Sequence, residues 1–123
     1  MPPTILICDD EPNLRELMRL SLNGGYEFVE AADGDEAIEL LARLRPDLVL
    51  LDVMMPRRSG LAVIQHLRRN PAFDETPVVV VSAFAAAGDR QSAYAAGATR
   101  FVKKPFDPEA LRSLVEDLLP EEP

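Results

Sequence analysis

The sequence predicts an α/β domain, a doubly wound (βα)5 three-layer sandwich in which helices cover both faces of a five-stranded parallel sheet. Two observations carry this reading. Ile5-Leu6-Ile7-Cys8, Leu48-Val49-Leu50-Leu51 and Val78-Val79-Val80-Val81 are short apolar runs with no polar side to offer water, as strands buried on both faces require. Strand-like runs alternate five times with segments whose apolar residues recur at helical spacing, a pattern that implies right-handed crossovers. The 123 residues, 47% hydrophobic and 28% charged, suit a single domain over 1–123 that buries its own core without metal or disulfide staples.

The first run is followed by Asp9-Asp10-Glu11. Pro12 then suits the first turn of a helix, with Asp10 as its cap. Leu14, Leu17, Met18, Leu20 and Leu22 recur at helical spacing until Asn23-Gly24-Gly25 stops the helix. Phe28-Val29 is the heart of a short strand over residues 26–31. Asp33-Gly34-Asp35 turns the chain into a helix bearing Ala37, Leu40, Leu41 and Leu44, which ends before Pro46. The central run stops on Asp52, and Pro56 forbids an immediate helix. Ser59-Gly60 opens the next helix, with Leu61, Ile64 and Leu67 inward, ending near Asn70-Pro71. The most apolar strand follows Pro77 and ends on Ser82-Ala83. Residues 85–96 are alanine-rich with a weak apolar stripe, predicting a thinly anchored helix that ends at Gly97. Residues 100–103 form the last strand, followed by Lys104-Pro105-Phe106. Asp107-Pro108 caps a final helix carrying Leu111, Leu114, Val115, Leu118 and Leu119; Pro120 ends it, and residues 121–123 are expected to fray.

A formal net charge of -8 argues against direct binding to nucleic acid or to an anionic membrane, because neutralising phosphates needs basic patches. The lone cysteine, Cys8, lies inside an apolar run and reads as a small core residue in a reducing compartment. The N-terminus shows no basic-apolar leader, and no run approaches membrane-spanning length. A cytoplasmic location is therefore expected.

In a parallel sheet all strands end on one edge, where ligands of such folds bind. That edge would gather Asp9 and Asp10, Asp52, Ser82 and Lys104. Helix capping by Asp10 and loop capping by Asp52 are the structural alternatives, yet neither accounts for three acids together. At about 4 Å and an effective dielectric of about 20, each carboxylate pair costs about 4 kcal/mol, against a domain stability of about 5–15 kcal/mol. A proton or a cation must offset that repulsion. Oxygen ligands without histidine or cysteine suit a hard cation such as Mg²⁺, which keeps several waters and leaves room for a phosphoryl group. Lys104 offers a mobile point charge and Ser82 a hydroxyl donor, both fitted to phosphoryl oxygens. With no serine–histidine–acid arrangement, the nucleophile would be a carboxylate, giving an acyl phosphate.

These motifs, in order, are Asp9-Asp10-Glu11-Pro12, Asp52 with Met54-Met55-Pro56 and Gly60, Ser82-Ala83, and Lys104-Pro105-Phe106. Together they resemble the receiver domain of two-component response regulators, over essentially the whole chain. The resemblance implies a flavodoxin-like strand order 2-1-3-4-5. It implies that Asp52 accepts a phosphoryl group from a histidine kinase or histidine phosphotransfer protein. Asp10, Asp52 and the backbone carbonyl of Met54 would hold Mg²⁺, with Mn²⁺ as a substitute, and Asp9 would assist through water. Lys104 would pair with the phosphoryl group, and Ser82 would bond it in the active state. Phe101 would be the aromatic switch that turns inward when Ser82 is drawn toward the phosphate, and Lys104-Pro105 a cis peptide.

Certain positions qualify the resemblance. Ser82 stands where threonine is commoner, with the hydroxyl kept. Met54 and Phe84, each two residues after Asp52 and Ser82, are apolar and cannot orient a hydrolytic water, which predicts a long-lived phosphoryl group. Thr99-Arg100 replaces an acidic pair found in regulators that dimerise through the last two helices, so a monomer or weak dimer is expected. His66 reads as an exposed helix residue and Lys103 as a solvated charge. A downstream effector protein or domain is the expected partner, with no output domain within the chain. The protein would be a switch that catalyses its own phosphorylation and slow dephosphorylation, not a metabolic enzyme. A haloacid-dehalogenase-like phosphatase would carry a second aspartate where this chain has Met54. A phosphorylation-independent binding module is the other alternative.

Overall fold

Each apolar run forms a strand because both of its faces find a helix. In the computed structural model, which describes residues 2–22 and 24–119, the strands are β1 (Thr4–Cys8), β2 (Glu27–Ala31), β3 (Leu48–Leu51), β4 (Val78–Ser82) and β5 (Arg100–Lys103). They pair in parallel in the order β2-β1-β3-β4-β5, the doubly wound arrangement expected of the sequence. The helices are α1 (Pro12–Leu22), α2 (Gly34–Arg43), α3 (Gly60–Arg68), α4 (Ala87–Ala96) and α5 (Pro108–Leu118), with a 3-10 turn at Pro71–Phe73. Helices α1 and α5 pack together, as do α2 with α3 and α3 with α4.

Successive strand residues point to opposite faces, and this splits the interior into two cores. Leu6 and Cys8, Val49 and Leu51, Val78 and Val80, and Phe101 meet Ala37 and Leu41 of α2, Val63, Ile64 and Leu67 of α3, and Ala93 of α4. Ile5 and Ile7, Leu48 and Leu50, and Val79 and Val81 meet Met18 and Leu22 of α1 and Leu111 and Val115 of α5. A sheet dressed on both sides needs continuous aliphatic strands, which is why these runs do not alternate with polar residues.

The structure adds detail to one helix and corrects the start of another. Leu17 and Leu20 are 41% and 66% exposed, because the inner face of α1 is made by Leu14, Met18 and Leu22, with Ser21 bonding back to the Leu17 carbonyl at 2.6 Å. Helix α4 starts at Ala87, not at residue 85. Ala86 is extended (φ -66°, ψ 164°) and has no side-chain acceptor, so the Asp89 carboxylate takes its N–H at 3.1 Å instead. Ala93 is the buried residue of α4, in keeping with its weak stripe. The stop at Asn23, the end at Pro120 and the fraying of residues 121–123 lie outside the described residues.

The far end of α4 is fixed more firmly. Arg68 reaches from the end of α3 to the Gly97 carbonyl at 3.0 Å and the Phe73 carbonyl at 2.6 Å. Gly97 is required here: its φ is +120°, and a Cβ would lie 2.6 Å from Arg68 Cγ. Thr99 accepts the Val78 N–H at 3.0 Å, so this departure from an acidic residue has a structural job at the start of β5.

Leu50 is fully buried whereas Leu20 is 66% exposed, so the same truncation should separate them. Leu50→Ala is expected to destabilise the fold by about 2–5 kcal/mol, and Leu20→Ala by less than about 0.5 kcal/mol, read from urea midpoints at constant slope.

Candidate functional site

The sheet's hydrogen-bond ladder runs one residue past β1, β3 and β5 and pins the backbone of the residues that follow them. The Asp9 N–H donates to the Ala31 carbonyl (3.1 Å), the Asp52 N–H to the Cys8 carbonyl (2.9 Å) and the Lys104 N–H to the Ser82 carbonyl (2.9 Å). Asp9, Asp52 and Lys104 are thereby delivered to one edge by β1, β3 and β5. The Lys104-Pro105 peptide that follows is cis.

Asp9 is fully buried and Asp52 is 7% exposed. Lys104 Nζ donates to Asp9 Oδ2 at 2.8 Å and to Asp52 Oδ2 at 2.7 Å. The other oxygen of each acid is also used: Asp9 Oδ1 accepts the Glu11 N–H at 2.9 Å, and Asp52 Oδ1 the Met54 N–H at 3.0 Å. Asp10 is exposed, and one carboxylate oxygen from each of Asp9, Asp10 and Asp52 lies within 4.8 Å of the others. The expectation that Asp10 caps α1 is corrected. Asp9 takes the N–H of Glu11, whose own carbonyl accepts from Leu14 and Arg15; Asp10 is left to face the cleft.

Burial alone would lower the Lys104 pKa, but its hydrogen bonds to Asp52 and Asp9, together with their charge, outweigh it and hold the ammonium above its ordinary value of 10.5. Three carboxylates face this one cation, so a net negative charge remains. An all-oxygen donor set with residual negative charge fits a hard divalent cation.

Gly60 lets α3 start against this edge. A Cβ there would fall 2.3 Å from the Asp52 carbonyl oxygen, while its N–H donates to Val53 at 2.8 Å. The intervening loop is tied to the start of α2 by Arg58 to Asp35 at 2.8 Å and by Arg57 to Asp33 at 3.3 Å. Arg57 holds a φ of +70°, a left-handed conformation uncommon outside glycine.

Ser82 is fully buried, and its Oγ accepts the Phe84 N–H at 3.2 Å. Phe101, on β5, is only 9% exposed. The Arg90 guanidinium carbon sits 4.8 Å from its ring centroid, while Arg90 Nε donates to the Ala85 carbonyl at 3.1 Å. Met54 and Phe84 are each 55% exposed, and Met54 joins the acid cluster's hydrogen bonds through its backbone N–H alone. Cys8 is buried, and burial first, then Asp9 and Glu36, pushes its thiol up, consistent with a core residue rather than a redox centre. His66 is exposed on α3.

Some site-supporting contacts left no signal in the sequence. Arg15 bonds the Asp9 carbonyl at 2.6 Å and Glu30 at 2.8 Å; Arg90 covers Phe101. An apolar groove of about 270 Å³ lined by Leu14, Leu17, Ala83, Pro105 and Phe106 opens beside Lys104.

Lys104→Met leaves two buried acids facing each other and is expected to destabilise the fold by about 3–5 kcal/mol. Because the folded lysine's pKa is raised, its protonation stabilises the fold fully below the ordinary value of 10.5 and loses this effect as pH rises through the folded value. The gap in urea midpoint between wild type and Lys104→Met should therefore be constant from pH 7 to pH 9 and shrink above about 10.5.

A family model described as "Response regulator receiver domain" matches residues 5–116. The chain is 42% identical over 120 residues to "Response regulator MprA" of Mycobacterium sp. (strain KMS), covering 97% of this chain and 51% of that protein. It is 36% identical over 118 residues to "DNA-binding dual master transcriptional regulator RpaA" of Synechocystis sp., covering 95% of this chain and 49% of that one. The solved chemotaxis response regulator CheY4 of Vibrio cholerae superposes with a TM-score of 0.89 at 29% identity, over 96% of this chain and 99% of that one. The chain spans about half the length of the curated relatives it matches. With one relative named DNA-binding, the expectation that nucleic acid is no partner finds no support here. Its match along nearly the whole sequence and its fold show that the chain belongs to the response regulator receiver domains of two-component signalling.

Proposed function

We propose that Asp52 is the phosphoacceptor, receiving a phosphoryl group from a histidine kinase or histidine phosphotransfer protein. The observation that carries this is the Lys104 ammonium bound to both Asp52 and Asp9. It puts a cation against two buried acids whose oxygens are each oriented by a single donor, and of the two it is Asp52, 7% exposed where Asp9 is fully enclosed, that a phosphoryl donor can reach. A carboxylate has about four lone-pair sites, so Asp52 keeps lone pairs free for attack on phosphorus. The Asp52 Oδ–P bond forms as the partner's P–N bond breaks. The imidazole nitrogen leaves with that electron pair and, with its other nitrogen protonated, departs neutral.

Asp10, Asp52 and the Met54 carbonyl oxygen would hold Mg²⁺, or Mn²⁺ in its place, with Asp9 acting through water. Bound there, the ion would neutralise charge on the transferring group and help to orient it. Lys104 then pairs with phosphoryl oxygens, exchanging a carboxylate partner for the new dianion. Ser82 donates its hydroxyl to the same group, drawing the β4–α4 loop with it. Phe101, on the adjacent strand, registers that movement. Shifting a 1:99 population to 99:1 takes about 5.5 kcal/mol of differential interaction, within reach of several charge-assisted hydrogen bonds of about 1.5–3 kcal/mol each. The output is a changed α4–β5–α5 surface read by a downstream effector protein or domain. With Thr99 engaged in the fold, a monomer or weak dimer in the cytoplasm is the state proposed.

Intact mass after incubation with acetyl phosphate or phosphoramidate tests the acceptor. Wild type should gain one phosphoryl group only when Mg²⁺ is present, and Asp52→Asn none. No gain in a wild type that binds Mg²⁺ would overturn the proposal in favour of a phosphorylation-independent binding module.

Met54 and Phe84 present apolar side chains, each 55% exposed, and neither can orient water. The acyl phosphate should therefore persist, and Met54→Asn, which supplies a water-orienting amide, should shorten its lifetime by about tenfold, the rate equivalent of one hydrogen bond of about 1.4 kcal/mol. A wild-type lifetime no longer than the variant's would remove this role.

A further inference from the structure

We infer that Arg15 is a positioning residue for the metal-binding acid Asp10: braced by Glu30, it holds the Asp9 carbonyl and so fixes the peptide that aims Asp10 into the cleft. The inference rests on the reading of Asp9, Asp10 and Asp52 as a cation site.

Asp10 differs from its neighbours in how it is oriented. Asp9 and Asp52 are each locked by a backbone N–H and by Lys104. Asp10 is exposed, and its carboxylate has no hydrogen bond among the described residues. Its approach to within 4.8 Å of the other acids is therefore set by backbone direction. The Asp9–Asp10 peptide begins at a residue whose N–H is pinned to Ala31 at 3.1 Å. Its carbonyl oxygen accepts from Arg15 at 2.6 Å.

The arginine is itself held. Nε donates to Glu30 Oε1 at 2.8 Å, and the Arg15 side chain is 15% exposed. The second oxygen of Glu30 pairs with Arg19, so the brace is anchored from two positions on α1 against β2. A guanidinium is planar, with donors in a fixed fork. Fixing Nε therefore fixes the direction in which the terminal nitrogen meets the Asp9 carbonyl. Lysine would keep the charge and lose the fork.

Two accounts of Arg15 give opposite signs. As a mere positive charge beside an acid cluster, it repels a divalent cation, and Arg15→Ala would bind the ion more tightly. As the holder of the Asp9–Asp10 peptide, its loss lets Asp10 wander, and binding weakens. Support lying one contact beyond the ligands is commonly worth about 10–100-fold in metal affinity.

The test is titration calorimetry of the full chain with Mn²⁺, on variants whose circular dichroism and thermal midpoint match wild type. Wild type should bind one ion, and Arg15→Ala and Arg15→Lys should each bind it about 10-fold more weakly. Equal or tighter binding by Arg15→Ala overturns the inference, as does wild-type affinity in Arg15→Lys, the milder variant that also serves if the alanine chain fails to fold. Absence of Mn²⁺ binding by the wild type would instead overturn the cation-site reading beneath it.

Discussion

The Lys104 ammonium, held between Asp9 and Asp52 at 2.8 and 2.7 Å, is the contact on which the functional edge depends. Without it, a sheet that delivers acids from neighbouring strands to one edge would carry unrelieved repulsion where water is scarce. Geometry and charge reinforce each other here. The ladder bonds that pin Asp9, Asp52 and Lys104 put the three groups in reach, and their attraction in turn closes the edge. The cost of burying ions is met by completing their hydrogen bonds: both acids use both oxygens, and no buried side-chain polar atom among the described residues lacks a partner. A buried pair satisfied in this way is costly to break and modest in net stabilisation. Its value lies in specifying one arrangement.

Much of the architecture was legible because burial on both faces leaves an unmistakable trace. A strand such as Leu48–Leu51 has no alternative use for four consecutive aliphatic residues, and an acid placed straight after it stands out. The acid cluster could be found for the same reason, since parallel strands all end on one side. Orientation around a helix was less legible. Leu17 and Leu20 fit a helical period as well as Met18 and Leu22 do, and the difference lies in where α1 meets α5 and the sheet. The roles of Asp9 and Asp10 were exchanged at the helix start for a related reason: adjacent aspartates are equivalent as letters, and backbone direction alone decides which takes the Glu11 N–H.

Arginine was the least legible residue type. Arg15, Arg68 and Arg90 each reach a backbone carbonyl, those of Asp9, Gly97 and Ala85. A long side chain with several donors finds partners by tertiary proximity, and no periodicity announces them. These contacts distribute constraint unevenly along α4. Its C-terminal end is clasped to α3 through Gly97, while its first turn has an alanine at the cap and rests on Arg90 over Phe101. The helix is thus clasped at its far end and held most lightly at its N-terminus, which follows the loop after Ser82, the last residue of β4.

The two bonds of Lys104 join residues separated by 95 and 52 positions in the chain. The centre therefore belongs to no fragment. A chain interrupted before β5 would own every acid and no cation to reconcile them, and an intact chain whose last strand has come undocked is in the same position. Charge balance at this edge thus reports that the last strand is in place, and the centre is complete only in a molecule whose fold is finished.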